Sequence, residues 1–232
     1  MVNVDTVYQR VLALANKEQR GYITPQEFNL YANQAQMDIF EQYFYDLSQF
    51  RRVPGNDSKY ADIVDILEEK LSYFKQGPTQ VTDSTPLSDL STHSPSLFYR
   101  LGDITYGSRV VEEIRYEDYH KTQMSPLTKA TSSRPIYWRK DGRIYFSDQQ
   151  ATFQASWIRK PTKVNWTYII VGDVALVNPS ETAGYQDFDL PPSEETKLVI
   201  KILELSGITL KDNGLYQISS TEENEDTQQK KK

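Results

Sequence analysis

Asn16, Glu18, Gly21, Ile23 and Glu27 fall at positions 1, 3, 6, 8 and 12 of a loop with the spacing of an EF-hand, in which side-chain and main-chain oxygens surround a calcium ion. Such a site also needs an oxygen at position 5, and Arg20 puts a cation there. Asn16 replaces the usual Asp, and no second loop of this kind occurs to pair with the first. A helix start explains the same residues. Thr24 as N-cap and Glu27 at N3 make a capping box, Pro25 suits N1, and Ile23 with Phe28 forms a hydrophobic staple. Gly21 supplies a left-handed bend to end a preceding helix. The expectation is a capped helix, with calcium binding as the third functional reading.

Other chemistry is sparse. With no cysteine, disulfides, thiolate metal sites and Cys nucleophiles are excluded together. The histidines are His93, inside a Ser/Thr/Pro-rich stretch, and His120, three residues after Glu117 in an arrangement that reads as a surface helix pair. Nucleophile-elbow, phosphate-loop and dinucleotide motifs do not occur, and Gly107-Ser108 alone does not make a catalytic serine. Glu112 with Glu113, and Glu194 with Glu195, read as solvated faces or helix-start charge. No catalytic residue, metal or cofactor is expected.

The remaining candidate site is the run from Arg134 to Lys163. It sets Arg139, Lys140 and Arg143 beside Trp138 and Tyr145, a composition able to stack bases or bind sugars. The plainer reading is a hairpin with rings inward and charges outward, its basic face free to meet an acidic protein neighbour.

Three helices are expected to lead the chain. The first follows Val4, Val7, Tyr8, Val11, Leu12 and Ala15, and the second runs from about Pro25 to Phe50. The third spans about Ser58 to Phe74 and stops at Gly77 and Pro78. The second would be about 39 Å long, with a stripe that includes Phe28, Tyr31, Ile39, Phe40, Tyr43, Phe44 and Leu47. That stripe is wider than two partner helices cover, so these residues are candidate subunit contacts.

Residues 1–75 therefore read as a helical hairpin or bundle, and 76–96 as a Ser/Thr/Pro-rich linker. Residues 97–178 read as an antiparallel sheet or small β-sandwich, with Lys140-Asp141-Gly142 as a hairpin turn. A short helix near Tyr116 to Met124 and a loop from Ser125 to Arg134 interrupt the strands, and the apolar run from Ile169 to Val177 is expected at the sheet centre. Residues 179–218 give a loop and a C-terminal helix capped by Ser193 and stopped at Gly207, and 219–232 a charged, disordered tail. The fold class is α+β.

Composition narrows the partners. A net charge of −6 argues against a broad phosphate-binding surface, and sixteen tyrosines favour half-buried strands and protein interfaces. Mean hydropathy of −0.63 and the lack of a long apolar run exclude an expected membrane span. The first residues go directly into an amphipathic pattern rather than a signal peptide, so cytoplasmic synthesis is expected.

Several segments together resemble virion structural proteins of short-tailed phages: KEQRGYITPQEFNLYANQAQMDIFEQYFYDL at Lys17 to Leu47, FYRLGDITY, the order RPIYWRKDGRIYF then WIRKPTKVNW, and DFDLPPSEETKLVIKILELSGITLKD. The similarity spans roughly Val2 to Gln217 and is nearest to head-to-tail connector proteins, the adaptors or rings that dock under the portal. The resemblance implies a homo-oligomeric ring of helical and β parts in the virion neck. Its partners would be the portal and adjacent tail or ring proteins, with double-stranded DNA passing through the lumen without specific binding. It supplies no catalytic residues. The alternative from another class is a nucleic-acid or glycan-binding module using the Arg139, Lys140 and Arg143 hairpin.

Overall fold

The computed structural model describes residues 1–17, 23–50, 63–90, 97–172, 174–178 and 184–207. The chain is α+β and divides into two compact units. A helical unit holds Met1–Tyr73 and everything from Pro161 onward, while Phe74–Lys160 forms a β unit inserted between those two stretches. This corrects two expected boundaries. Residues 76–90 are strand and turn rather than linker, and the apolar run near Ile169 belongs with the helices.

In the helical unit, α1 (Val4–Lys17), α2 (Pro25–Phe50), α3 (Ile63–Ser72) and a C-terminal helix, α5 (Glu195–Leu205), bury a common core. Asn3 caps α1 by accepting the Thr6 N–H at 3.0 Å. The predicted capping box starts α2: the Thr24 N–H and Oγ1 donate to Glu27 Oε2 at 3.0 and 2.7 Å, and the Glu27 N–H donates back to Thr24 Oγ1 at 3.3 Å. Ile23 and Phe28 are both buried, as a staple requires. The helix keeps its predicted bounds. For α3 the start predicted near Ser58 lies outside the described residues, and the helix ends at Ser72, earlier than the pattern suggested. Ser193 does not cap α5. It lies inside a 3-10 turn, Pro192–Glu194, that leads into the helix with no side-chain cap bond. Gly207 ends that helix at φ +72, a conformation glycine adopts freely.

Among its described residues the β unit contains eight strands: β1 (Lys75–Val81), β2 (Thr85–Pro86), β3 (Phe98–Tyr106), β4 (Arg109–Val110), β5 (Glu112–Glu113), β6 (Ile136–Lys140), β7 (Arg143–Phe146) and β8 (Phe153–Arg159). One sheet runs β1-β8-β3-β4 and is antiparallel. The other runs β2-β7-β6-β5, in which only the short β5 is parallel to its neighbour. Phe153, Ala155 and Trp157 alternate inward along β8 and share one core with Ile104, Tyr137, Ile144 and Phe146 from both sheets, the packing of a small sandwich. Phe146 and Phe153 stack across it at 3.9 Å.

Two glycines let the first sheet close. A Cβ on Gly102 would lie 2.6 Å from Ser156 Oγ, and one on Gly77 would lie 2.9 Å from the Ala155 carbonyl oxygen. Both sit where the register of a strand beside β8 shifts, so β1 and β3 bulge past it. Asp141 and Gly142, at φ +51 and +70, make the two-residue β6–β7 turn expected from their sequence. The helix expected near Tyr116 to Met124 is a 3-10 turn (Tyr116–Asp118) continued by α4 (Tyr119–Met124).

Candidate functional site

Glu27, the twelfth residue of the candidate calcium loop, spends its carboxylate on the capping box, and the Thr24 hydrogen bonds hold its pKa below the ordinary value. Residues 18 to 22 of that loop lie outside the described residues, as does His93. Among the described residues no cluster of three metal-ligating side chains occurs.

The stripe on α2 proves to be mostly core. Phe28, Ile39, Phe40 and Tyr43 are buried within the chain itself, packed among α1, α3 and α5. Phe28 meets Tyr8 edge-on at 4.8 Å. The expectation of free contact residues is corrected for these four, because a fourth helix and the segment after Pro161 cover what two helices could not. Tyr31, Phe44 and Leu47 are half-buried, and the exposed apolar residues of α2 are Leu30 and Tyr45.

A row of polar residues along the edge of that buried stripe has no counterpart in the sequence reading. Asn29, Asn33 and Gln36, at i, i+4 and i+7, line one helix face and grip the main chain of residues 162–166. Asn33 Nδ2 donates to the Val164 carbonyl and its Oδ1 accepts the Val164 N–H, both at 2.9 Å. Asn29 does the same at Trp166, at 3.2 and 2.8 Å. Gln36 Nε2 donates to the Thr162 carbonyl at 2.8 Å, and its Oε1 accepts the Asp189 N–H at 2.9 Å. Asp189 in turn accepts the Thr162 N–H at 2.7 Å. On its other edge the segment pairs Asn165 with Gln186 through two main-chain bonds. Side-chain amides thus stand in for a neighbouring strand at alternate residues. Beside them Trp166 is buried, its ring 4.0 Å from Tyr8 and its Nε1 donating to Asp5 Oδ1 at 2.9 Å.

A charge pair between a buried carboxylate and a half-buried lysine completes the helical unit. Lys70 Nζ lies 2.6 Å from Glu194 Oε1, and the Glu194 side chain is 7% exposed. Tyr43 packs nearby, with Lys70 over its ring at 5.7 Å.

The basic-aromatic hairpin, β6 and β7, does not present the expected free cations. Arg139 NH2 is 2.6 Å from Glu113 Oε1, Arg134 NH2 is 2.7 Å from Glu112 Oε2, and Arg143 NH1 donates to the Ser84 carbonyl at 3.0 Å. Lys140 lies over the Tyr116 ring at 4.2 Å. Its rings also divide between faces instead of all pointing inward. Tyr137 and Phe146 enter the core, whereas Trp138 and Tyr145 stack at 6.0 Å on the opposite face, with Tyr119 of α4 4.3 Å from Trp138. The parallel strand β5 makes the difference, because it brings Glu112 and Glu113 alongside β6.

The largest surprise is the apolar run after Thr167. It forms an isolated two-stranded hairpin, β9 (Tyr168–Val171) and β10 (Val174–Val177), rather than the centre of a sheet. Ile170 is 69% exposed, Val171 55%, Ile169 49% and Leu176 47%. A two-stranded ribbon is marginal in water on its own, and consecutive exposed β-branched residues on both faces mark a surface awaiting cover. No family model and no curated protein matches the chain. The reading of function therefore rests on residues and geometry.

Burial, reinforced by the negative charge of Glu194, holds the Tyr43 pKa well above the ordinary phenol range, and burial with Glu113 does the same for Tyr137. The folded protein binds these protons more tightly than the unfolded chain does. Their contribution to stability is therefore complete below the unfolded value of about 10 and is lost as pH rises beyond it toward the folded values. Urea midpoints measured from pH 8 to 11 are expected to fall above about pH 10, and a Tyr43→Phe, Tyr137→Phe double variant should show a shallower fall.

Proposed function

We propose that the chain is a virion structural protein, a subunit of a head-to-tail connector ring between portal and tail in a short-tailed phage. The observation that carries this reading is the exposed apolar β9–β10 hairpin. Burying four aliphatic side chains that are now 47–69% exposed would contribute about 3–6 kcal/mol per contact, enough to matter in a ring where every subunit makes the contact twice. The ring works by surface complementarity, with hairpins bridging neighbouring copies, and its net acidity lets DNA pass without adhering. The chain would act in the virion neck, without catalysis or a bound cofactor.

The alternative, a nucleic-acid-binding module on β6 and β7, draws less support, because Glu112 and Glu113 pair with the arginines that would meet phosphate.

The test is co-expression with the portal and adjacent tail proteins, followed by electron microscopy. The wild-type chain is expected in rings, and an Ile170→Asp, Val171→Asp variant is expected to remain unassembled with an unchanged melting temperature. Failure of the wild-type chain to form or join a ring with those partners, or normal assembly of the variant, would overturn the reading.

A further inference from the structure

The β unit carries an open recess of about 410 Å3 between the loop that follows α4 and the turn that follows β7. Its wall is made by Tyr119, Gln123, Thr131, Ser132, Asp148 and Gln149. Two neighbouring hydroxyls are committed to the fold: Ser147 Oγ accepts the Ile136 N–H at 3.0 Å, and Thr131 Oγ1 accepts the Arg134 N–H at 3.2 Å. Asp148 Oδ1 accepts the Gln150 N–H at 3.2 Å, which orients the carboxylate and leaves Oδ2 available. Among the described residues, Gln123, Ser132 and Gln149 have no side-chain hydrogen-bond partner.

We infer that this recess binds a neutral sugar unit. The chemistry of the wall selects that class. No lysine or arginine lines it and one carboxylate does, so a phosphate, sulfate or carboxylate ligand would meet repulsion without a counter-charge. Apolar ligands find only Ala130 and one ring. A pyranose offers what the wall lacks: hydroxyls that donate to Asp148, hydroxyls that accept from the two glutamine amides, and a C–H face that packs on Tyr119. Trp138, 4.3 Å from the Tyr119 ring, backs that platform, so the ring is held before any ligand arrives. The site lies on a different unit from the apolar hairpin and does not depend on the connector reading.

Saturation-transfer NMR on the full chain tests this, with the methyl glycosides of glucose, galactose, mannose and N-acetylglucosamine at millimolar concentration, and glucose 6-phosphate and glucuronate for comparison. At least one neutral glycoside is expected to show transfer to its ring C–H protons. The signal should drop at least tenfold in Tyr119→Ala and in a Gln123→Ala, Gln149→Ala double variant. The double variant removes only side chains without internal bonds, so it separates loss of the site from loss of the fold. Absence of transfer to all four neutral glycosides, an unchanged signal in the double variant, or stronger binding of the anionic sugars would overturn the inference.

Discussion

Replacing Trp166 with alanine is expected to destabilise the helical unit by about 3–5 kcal/mol, the cost of removing a large buried aromatic side chain and leaving a cavity. Two losses combine. The ring is 1% exposed and packs on Tyr8 at 4.0 Å and Tyr168 at 5.7 Å, so its removal opens the aromatic cluster joining α1, α2 and the returning chain. Asp5 loses the Nε1 donor, although its place in the first turn of α1 keeps its charge favourably sited. The main-chain bonds to Asn29 survive, since any residue at this position can make them. Thermal unfolding should show a midpoint lower by roughly 6–20 °C. Trp166→Phe should recover more than half of that loss, keeping a ring against Tyr8 while still lacking the donor.

The second large effect is predicted at Asn33, which tests whether the amides of α2 truly replace a strand. Asn33→Leu has similar bulk but leaves both the N–H and the carbonyl of Val164 without partners. Val164 is 2% exposed, so water does not readily substitute. At about 1–3 kcal/mol for each of the two orphaned groups, the expected loss is about 2–6 kcal/mol. Amide hydrogen exchange distinguishes this mechanism from a general packing defect. Exchange at Val164 should accelerate more than at Asn165, whose N–H still donates to Gln186. Asn33→Asp retains the acceptor but loses the donor and sets a carboxylate against the Val164 carbonyl, so it should not rescue stability. An Asn33→Leu protein as stable as the wild type would show that the ladder is dispensable.

The sequence is most legible where local chemistry decides the structure. Thr24, Pro25, Glu27 and Phe28 specify the start of α2 by hydrogen bonds within four residues, and Asp141-Gly142 specifies a turn by backbone conformation alone. Legibility ends where tertiary contacts decide. KQGPTQV has little β propensity, yet it is a strand because it lies at the edge of a sheet, pairs with β8, and places Gly77 and Pro78 at a bulge. The run from Ile169 to Val177 has the composition of a buried central strand, and periodicity cannot tell a core strand from an exposed ribbon. Asn29, Asn33 and Gln36 are visible at helical spacing, but their partners lie more than 120 residues away. The paired acids beside Arg134 and Arg139 were legible only as composition, because β5 adds in parallel from another part of the chain.

The amide ladder also fixes how the chain can vary in length. Because Asn29, Asn33 and Gln36 engage residues 166, 164 and 162 in turn, inserting or deleting one residue there would move every gripped main-chain group out of reach and turn Trp166 out of its pocket. At Gly172, beside the tip of β9 and β10, nothing would meet an added Cβ. Natural and engineered insertions should therefore collect at that tip and avoid 162–166, which acts as a ruler set by three side chains of one helix.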